Sequence, residues 1–372
     1  MLYMDANATE PLRPEARDAA LRAMETLGNP SSIHQSGRAA RRILEDSRES
    51  LAHQFNARPQ EIVFTSGATE ANALAIHALG AGRPILIGAT EHDAIRAAAP
   101  AAIEIPVHTN GSFNAEALES LLQTHPRALV CLMAANNETG VLHDIAAAAK
   151  LCAAHGAILH VDAVQAAGRA RQDWLALGAA SFAISGHKAG GPMGAGALIL
   201  APGHAEHTTP FIKGGGQERG WRGGTPSLPA IAGMAAALAA PYSAVNIAAQ
   251  RDEIAAFCAN LGAIVIGQSA PRLPNTICLA FPGIRAETQL IALDMAGIAV
   301  SAGAACSSGK LAASHVLSAM GVSALANQAI RVSLPWNAPP DAAELFTRAY
   351  QTMATRALRE QKVAVTETAS VA

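Results

Sequence analysis

Seven short apolar runs dominate the first two-thirds of the 372-residue chain. They lie at 61–65 (EIVFT), 84–88 (PILIG), 103–107 (IEIPV), 128–133 (ALVCLM), 157–161 (AILHV), 182–185 and 196–200. Helical spacing fills the gaps: an Arg- and Glu-rich amphipathic stretch at 37–55, a helix from about Thr69, then 93–100, 114–123 and 144–154. Strands apolar along their whole length must be covered on both faces, and alternation with helices is how a chain covers a parallel sheet. The expected class is α/β, with a large domain built on a mostly parallel seven-stranded sheet. A short, alanine-rich run at 228–241 reads as a buried helix rather than a membrane span.

Past Pro241 the pattern changes. A long helix leads into runs at 263–266 and 276–280, then a helix at 287–296 and a strand at 330–334. This reads as a smaller α+β domain. We expect residues 13–248 in the large domain, 1–12 and 249–362 in the small one, and a disordered tail at 363–372, where the residues are small and polar.

A net charge of −2 with no basic block argues against nucleic acid as a partner. The first residues carry acids and prolines and no apolar core of a signal peptide, so a cytoplasmic protein is expected, with no membrane contact. The five cysteines are scattered without a CxxC pair, which suits neither a disulfide framework nor a metal site.

Three segments carry chemistry. Thr65–Glu70 (TSGATE) joins a strand to a helix and offers backbone N–H groups and the Thr69 hydroxyl to an anion; alone, it is equally an ordinary helix cap after a glycine turn. Lys188, in SGHK, follows a strand read as buried and precedes a glycine-rich run. A desolvated lysine there is a nucleophile, whereas a lysine in an exposed loop is not. Asp162 ends the 157–161 strand, at the sheet edge where open parallel sheets bind ligands. It needs a cation, which a pyridinium N–H would supply, or it caps the next segment.

Taken in order, these segments resemble the fold-type-I pyridoxal phosphate enzymes, and more narrowly the cysteine desulfurases of the class V aminotransferase group. The resemblance runs over nearly the whole chain: YMDANAT at the start, GNPSSIHQSGRAAR (28–41), FTSGATEANALAI (64–76), TEHDA (90–94), NNETG (136–140), HVDAVQ (160–165), SGHKAGGPMGAGAL (185–198), GGGQERGWRGGT (214–225), SAGAACSSG (301–309) and AIRVSL (329–334). It implies that Lys188 bonds covalently to pyridoxal 5'-phosphate and that Asp162 keeps the ring nitrogen protonated. It further implies that Gln165 donates to the phenolic oxygen and that His92 is catalytic, stacking on the ring and shuttling protons. Ala68, Thr69, Ser185 and His187 would hold the phosphate, joined by Thr225 from a second subunit, which makes a homodimer. Asn137 and Arg331 would bind the substrate carboxylate, a task suited to a planar guanidinium.

Cys306 lies in a small-residue loop that offers little apolar burial, unlike a structural cysteine, and a mobile thiol can reach substrate sulfur. Its loop is similar to that of the long-loop branch, whose members hand persulfide to iron–sulfur scaffolds and other acceptors. Cys131, Cys152, Cys258 and Cys278 read as structural. Against the family pattern, Glu10 stands where Thr is frequent, His143 where Gln is usual, and Pro335-Trp336 where Gly-Arg or similar follows Leu334. The implied reaction takes L-cysteine to L-alanine with a persulfide on Cys306. Selenocysteine lyase or another class V aminotransferase-like activity is the alternative, separable by comparing cysteine with selenocysteine turnover.

Overall fold

The computed structural model describes residues 1–204, 209–303 and 313–371. In chain order its strands are β1 (Leu2–Tyr3), β2 (Ile62–Thr65), β3 (Ile85–Gly88), β4 (Ile103–Ile105), β5 (Leu129–Met133), β6 (Ile158–Asp162), β7 (Ser181–Ser185), β8 (Gly196–Leu200), β9 (Ile264–Ile266), β10 (Thr276–Ala280), β11 (Ile298–Ala299), β12 (Ser301–Ala302) and β13 (Ala329–Ser333). The α-helices are α1 (Pro14–Glu25), α2 (Gln35–Gln54), α3 (Ala68–Leu79), α4 (Asp93–Arg96), α5 (Ala115–Thr124), α6 (Ile145–Ala154), α7 (Leu228–Ala239), α8 (Ala244–Asn260), α9 (Ala286–Met295), α10 (His315–Ala319) and α11 (Ala342–Val371).

All seven early runs become one sheet, ordered β2-β8-β7-β6-β5-β3-β4. Only β8 runs against its neighbours, β2 and β7. Alternate residues of each strand enter different cores: Val130 and Leu132 face α2, α5, α6 and α7, while Leu129 and Cys131 face α3 and α4. That two-sided burial explains why these strands read as unbroken apolar runs.

A second sheet, β12-β13-β10-β9, divides its residues in the same way. Ile277 and Leu279 pack with α8, α9 and α11, while Cys278 and Ala280 pack with α10. The N-terminus joins this core, since β1 pairs with β11 and Met4 is fully buried in it. The chain then crosses to the large sheet, where Glu10 N–H donates to the His187 carbonyl and Arg13 N–H to that of Gly190 (2.9 Å each).

Two boundaries differ from the sequence reading. The expected break at 248 falls inside α8, whose Ile247, Ile254 and Cys258 all enter the small core. The helical register breaks earlier, near Pro241, which supplies no N–H to continue α7. The tail expected to be disordered from 363 continues α11 to Val371, with no glycine or proline to stop it. Among the described residues no single helix is long and apolar enough to cross a membrane.

Candidate active site

The C-terminal ends of β2, β3, β5, β6 and β7 share one edge of the large sheet, and β8 begins there, Gly196 pairing with both Thr65 and Ser185. A cavity of about 720 Å³ opens at this edge. Its wall includes Ala68, Thr69, His92, Asn137, Asp162, Gln165, Ser185, His187, Lys188 and Arg331. Segments far apart in sequence therefore meet because their strands end together, and Arg331 of β13 joins them from the second sheet. Gly196 permits the convergence: a Cβ there would lie 2.5 Å from the Gly67 carbonyl carbon.

Lys188 follows β7 in a short turn, and its Nζ donates to the carbonyls of Asn7 (2.6 Å) and Ala8 (2.9 Å). Burial, reinforced by the positive charges of Arg331 and Arg169, lowers its amine to about 8. A neutral amine has two N–H groups for the two carbonyls, and its lone pair stays free for an electrophile.

Asp162 caps the end of β6. Its Oδ1 accepts from Val164 N–H (3.0 Å) and its Oδ2 from Asn72 Nδ2 (2.8 Å). Behind it the network continues inward: Asn72 Oδ1 meets His160 Nε2 at 2.9 Å, and His160 Nδ1 meets Ser181 Oγ at 2.8 Å. Burial drives the His160 imidazole down to about 3, so it is neutral and rigidly hydrogen-bonded. Burial also raises the Asp162 carboxyl, opposed by Val164 N–H, His92, Asn72 and Lys188. Glu91, beneath the same wall, is raised well above the carboxylate range by burial and by Asp162. A further positive charge in the cavity would relieve both.

The turn after β2 leads straight into α3, whose first-turn N–H groups lack intrahelical partners. Glu70 lies in that first turn, but Arg222 Nε (2.7 Å) and the Ser66 hydroxyl (2.6 Å) take its carboxylate. The helix end therefore keeps its attraction for an anion. Ser185 is buried on the wall, and His187 Nδ1 meets the Thr9 hydroxyl at 3.0 Å. Burial, Lys188 and Arg169 lower His187 to about 4. His92 accepts from Ala94 N–H through Nδ1 (3.0 Å), which leaves Nε2 as its donor nitrogen.

On the small-core side, β13 carries Arg331. Its guanidinium donates to Asp5 Oδ1 (2.7 Å) and the Asn137 carbonyl (3.1 Å), while Nε has no partner among the described residues. Asn137 joins the same wall. Gly303 and Ala313 line the cavity too. Cys306, between them in sequence, lies outside the described residues.

Thr225 is the one described candidate away from the cavity. It is exposed, at the end of a loop tied down by the buried Arg48–Glu218 pair (2.7 Å) and by Arg222–Glu70. Sequence reading overlooked Asn72, Glu91, Glu138 and Asp5. Asn72 had a signal, an amide on the buried face of an otherwise apolar helix. Glu138 had none that distinguishes it from a surface acid. Burial raises its carboxyl, and Ser314 Oγ donates to it at 2.5 Å.

A family model described as Aminotransferase class-V matches residues 2–345. An "IscS-like cysteine desulfurase" of Mycobacterium tuberculosis is 36% identical over 366 residues, covering 90% of this chain and 91% of that protein. A "Cysteine desulfurase" of Cereibacter sphaeroides is 40% identical over 353 residues, 90% of each chain. Among solved structures, a NifS-like protein from Rickettsia africae superposes with a TM-score of 0.87 at 34% identity, over 95% of this chain and 99% of that one.

Proposed function

The chain belongs to the aminotransferase class-V family, and from that premise we propose that it is a pyridoxal-phosphate-dependent cysteine desulfurase. L-cysteine and the Cys306 thiol give L-alanine and a Cys306 persulfide. The cavity suits the cofactor by the chemistry of its wall. A low-pKa lysine, a buried carboxylate short of positive charge, a donor amide and an unpaired helix N-terminus stand around one space. The observation that carries the reading is Lys188 and Asp162 in that single cavity.

Pyridoxal phosphate supplies a carbonyl for amines and a ring that withdraws electrons. Lys188 would hold it and, when its amine is free, would take the substrate Cα proton, since near pH 8 it can hold or release one. Asp162, kept in place by Asn72, would hold a proton at the ring nitrogen. Gln165 would donate to the ring oxygen, and His92, on the same wall, would stack on the ring and move protons. Ala68, Thr69, Ser185 and His187 would hold the phosphate. Arg331 and Asn137 bind the substrate carboxylate, with Asp5 orienting the guanidinium. The Cys306 thiolate attacks the substrate sulfur: an S–S bond forms, the C–S bond breaks, and Cα and Cβ end protonated in alanine.

The other cysteines support this assignment. All four are buried, and burial lifts Cys152, Cys258 and Cys278 to about 12 and Cys131 well above its usual value, so none is a ready thiolate.

The protein acts as a homodimer, with Thr225 reaching the partner's phosphate site. Support comes from Thr225 standing away from its own cavity and from exposed apolar side chains at Leu21, Met24, Leu27 and Ile33. The persulfide passes to a scaffold for iron–sulfur assembly, a reading supported by relatives named IscS, and we place that transfer in the cytoplasm.

Purified protein given pyridoxal phosphate and L-cysteine should form alanine and, with a thiol reductant, sulfide in equal amounts. Lys188→Ala should form neither and lose the visible absorbance. Unchanged spectrum or turnover in that variant contradicts the assignment.

A further inference from the structure

Gln165 has its amide orientation fixed by partners that admit only one assignment. Its Oε1 accepts from Arg169 Nη1 at 2.7 Å, and a guanidinium only donates. Its Nε2 donates to the Asn7 carbonyl at 3.1 Å, which only accepts. One amide N–H remains, without an acceptor among the described residues, on a side chain that lines the cavity. The Asn7 carbonyl is shared with Lys188, whereas Arg169 Nη1 donates only to Gln165, to its Oε1 and, at 3.3 Å, to its backbone carbonyl.

Arg169 is itself clamped. Its side chain is 2% exposed and donates through Nη2 to Glu10 Oε2 (2.5 Å) and to the Ala6 carbonyl (3.0 Å). Glu10, 3% exposed on its side chain, spends its other oxygen on Trp336, whose backbone N–H donates to Oε1 at 2.5 Å. Trp336 is held in turn: its indole N–H donates to the Pro11 carbonyl (2.9 Å), and the Arg13 guanidinium lies 4.8 Å over its ring. The two departures from the family pattern, Glu10 and Trp336, are thus one contact. Trp336 follows Arg331 by five residues on the same segment.

We propose that Glu10 and Arg169 are positioning residues that hold the Gln165 amide with its oxygen away from the cavity and a donor N–H toward it, and that Trp336 locks Glu10 in place. The segment carrying the carboxylate-binding arginine thereby also orders the donor for the cofactor's ring oxygen. This rests on the pyridoxal phosphate reading.

A donor at the ring oxygen favours its negative charge and lowers the pH at which the bound chromophore gives up its proton. Losing one hydrogen bond to a charged group should raise that midpoint by about one pH unit. The test is a pH titration of the visible absorbance of the cofactor-loaded protein, with thermal melts as the check on folding. Gln165→Leu should raise the midpoint. The double variant Glu10→Met/Arg169→Met buries no unpaired charge and should fold. It should raise the midpoint as far as Gln165→Leu, and adding Gln165→Leu to it should add nothing. Should the double variant not fold, Glu10→Gln should shift the midpoint in the same direction by less. A midpoint that moves in Gln165→Leu alone, or shifts that sum across the combined variant, overturns the positioning role while leaving the cofactor reading intact. Wild-type protein that takes up no cofactor overturns both.

Discussion

The two sides of the cavity are built differently. On the sheet side, Asp162, Gln165 and Lys188 are each held by two or more partners, and the network behind Asp162 runs to Ser181 in the core. On the small-core side, Arg331 is shared between Asp5 and a carbonyl, and its Nε has no partner among the described residues. The difference teaches a division of labour. The sheet side is preorganised for a resident group, where fixed dipoles act without reorganisation. The small-core side has donor capacity left over, as suits a ligand that comes and goes.

That division can be broken. Asp162→Asn removes the preset charge and should lower turnover roughly 10²- to 10³-fold with little change in KM. A large change in KM with normal kcat would assign Asp162 to the substrate instead. Arg331→Lys loses the planar fork and should raise KM for L-cysteine by roughly tenfold to a hundredfold, leaving the cofactor spectrum as it was. If the spectrum changes as strongly as in Asp162→Asn, the two sides are not separate in role.

A further prediction sharpens the sheet side. Because the Lys188 amine is neutral above about 8, cofactor-free protein should capture pyridoxal phosphate at a rate that falls about tenfold per pH unit below 8 and levels off above it. A rate still climbing beyond pH 10 would mean an ordinary exposed lysine.

The smallest effect concerns the core beneath. His143 accepts from Phe113 N–H, and burial lowers it to about 4. The unfolded chain binds its proton near 6.5 and the folded one does not, so stability present above 6.5 is lost as pH falls toward 4. His143→Gln should gain about 2 kcal/mol over the wild type at pH 5 and little at pH 8, read by urea denaturation. An equal effect at both pH values would point to packing.

The sheet was legible because its strands are buried on both faces and carry that burial as unbroken apolar runs. Helix α1 is not legible in the sequence: its buried face is Ala16, Ala20 and Ala23, small residues that pack closely on α7 but give a weak apolar signal. The two-residue strands β11 and β12 depend on partners distant in sequence, which no local pattern reveals. At the site, residues in glycine turns at strand ends could be read from the chemistry of their segment. The groups that hold them could not. Asn72 lies 90 residues from Asp162 and Glu10 lies 159 from Arg169, so their pairing exists only once the sheet is assembled.

The central claim is sulfur transfer to Cys306 by a lysine-captured cofactor. The most direct measurement is a single turnover with L-cysteine and no added thiol, followed by mass spectrometry of the cysteine peptides and assay of alanine. The account predicts one added sulfur on the Cys306 peptide for each alanine formed, and neither product in Cys306→Ala. Alanine released without sulfur on Cys306, or sulfur on Cys131, Cys152, Cys258 or Cys278 instead, would contradict it.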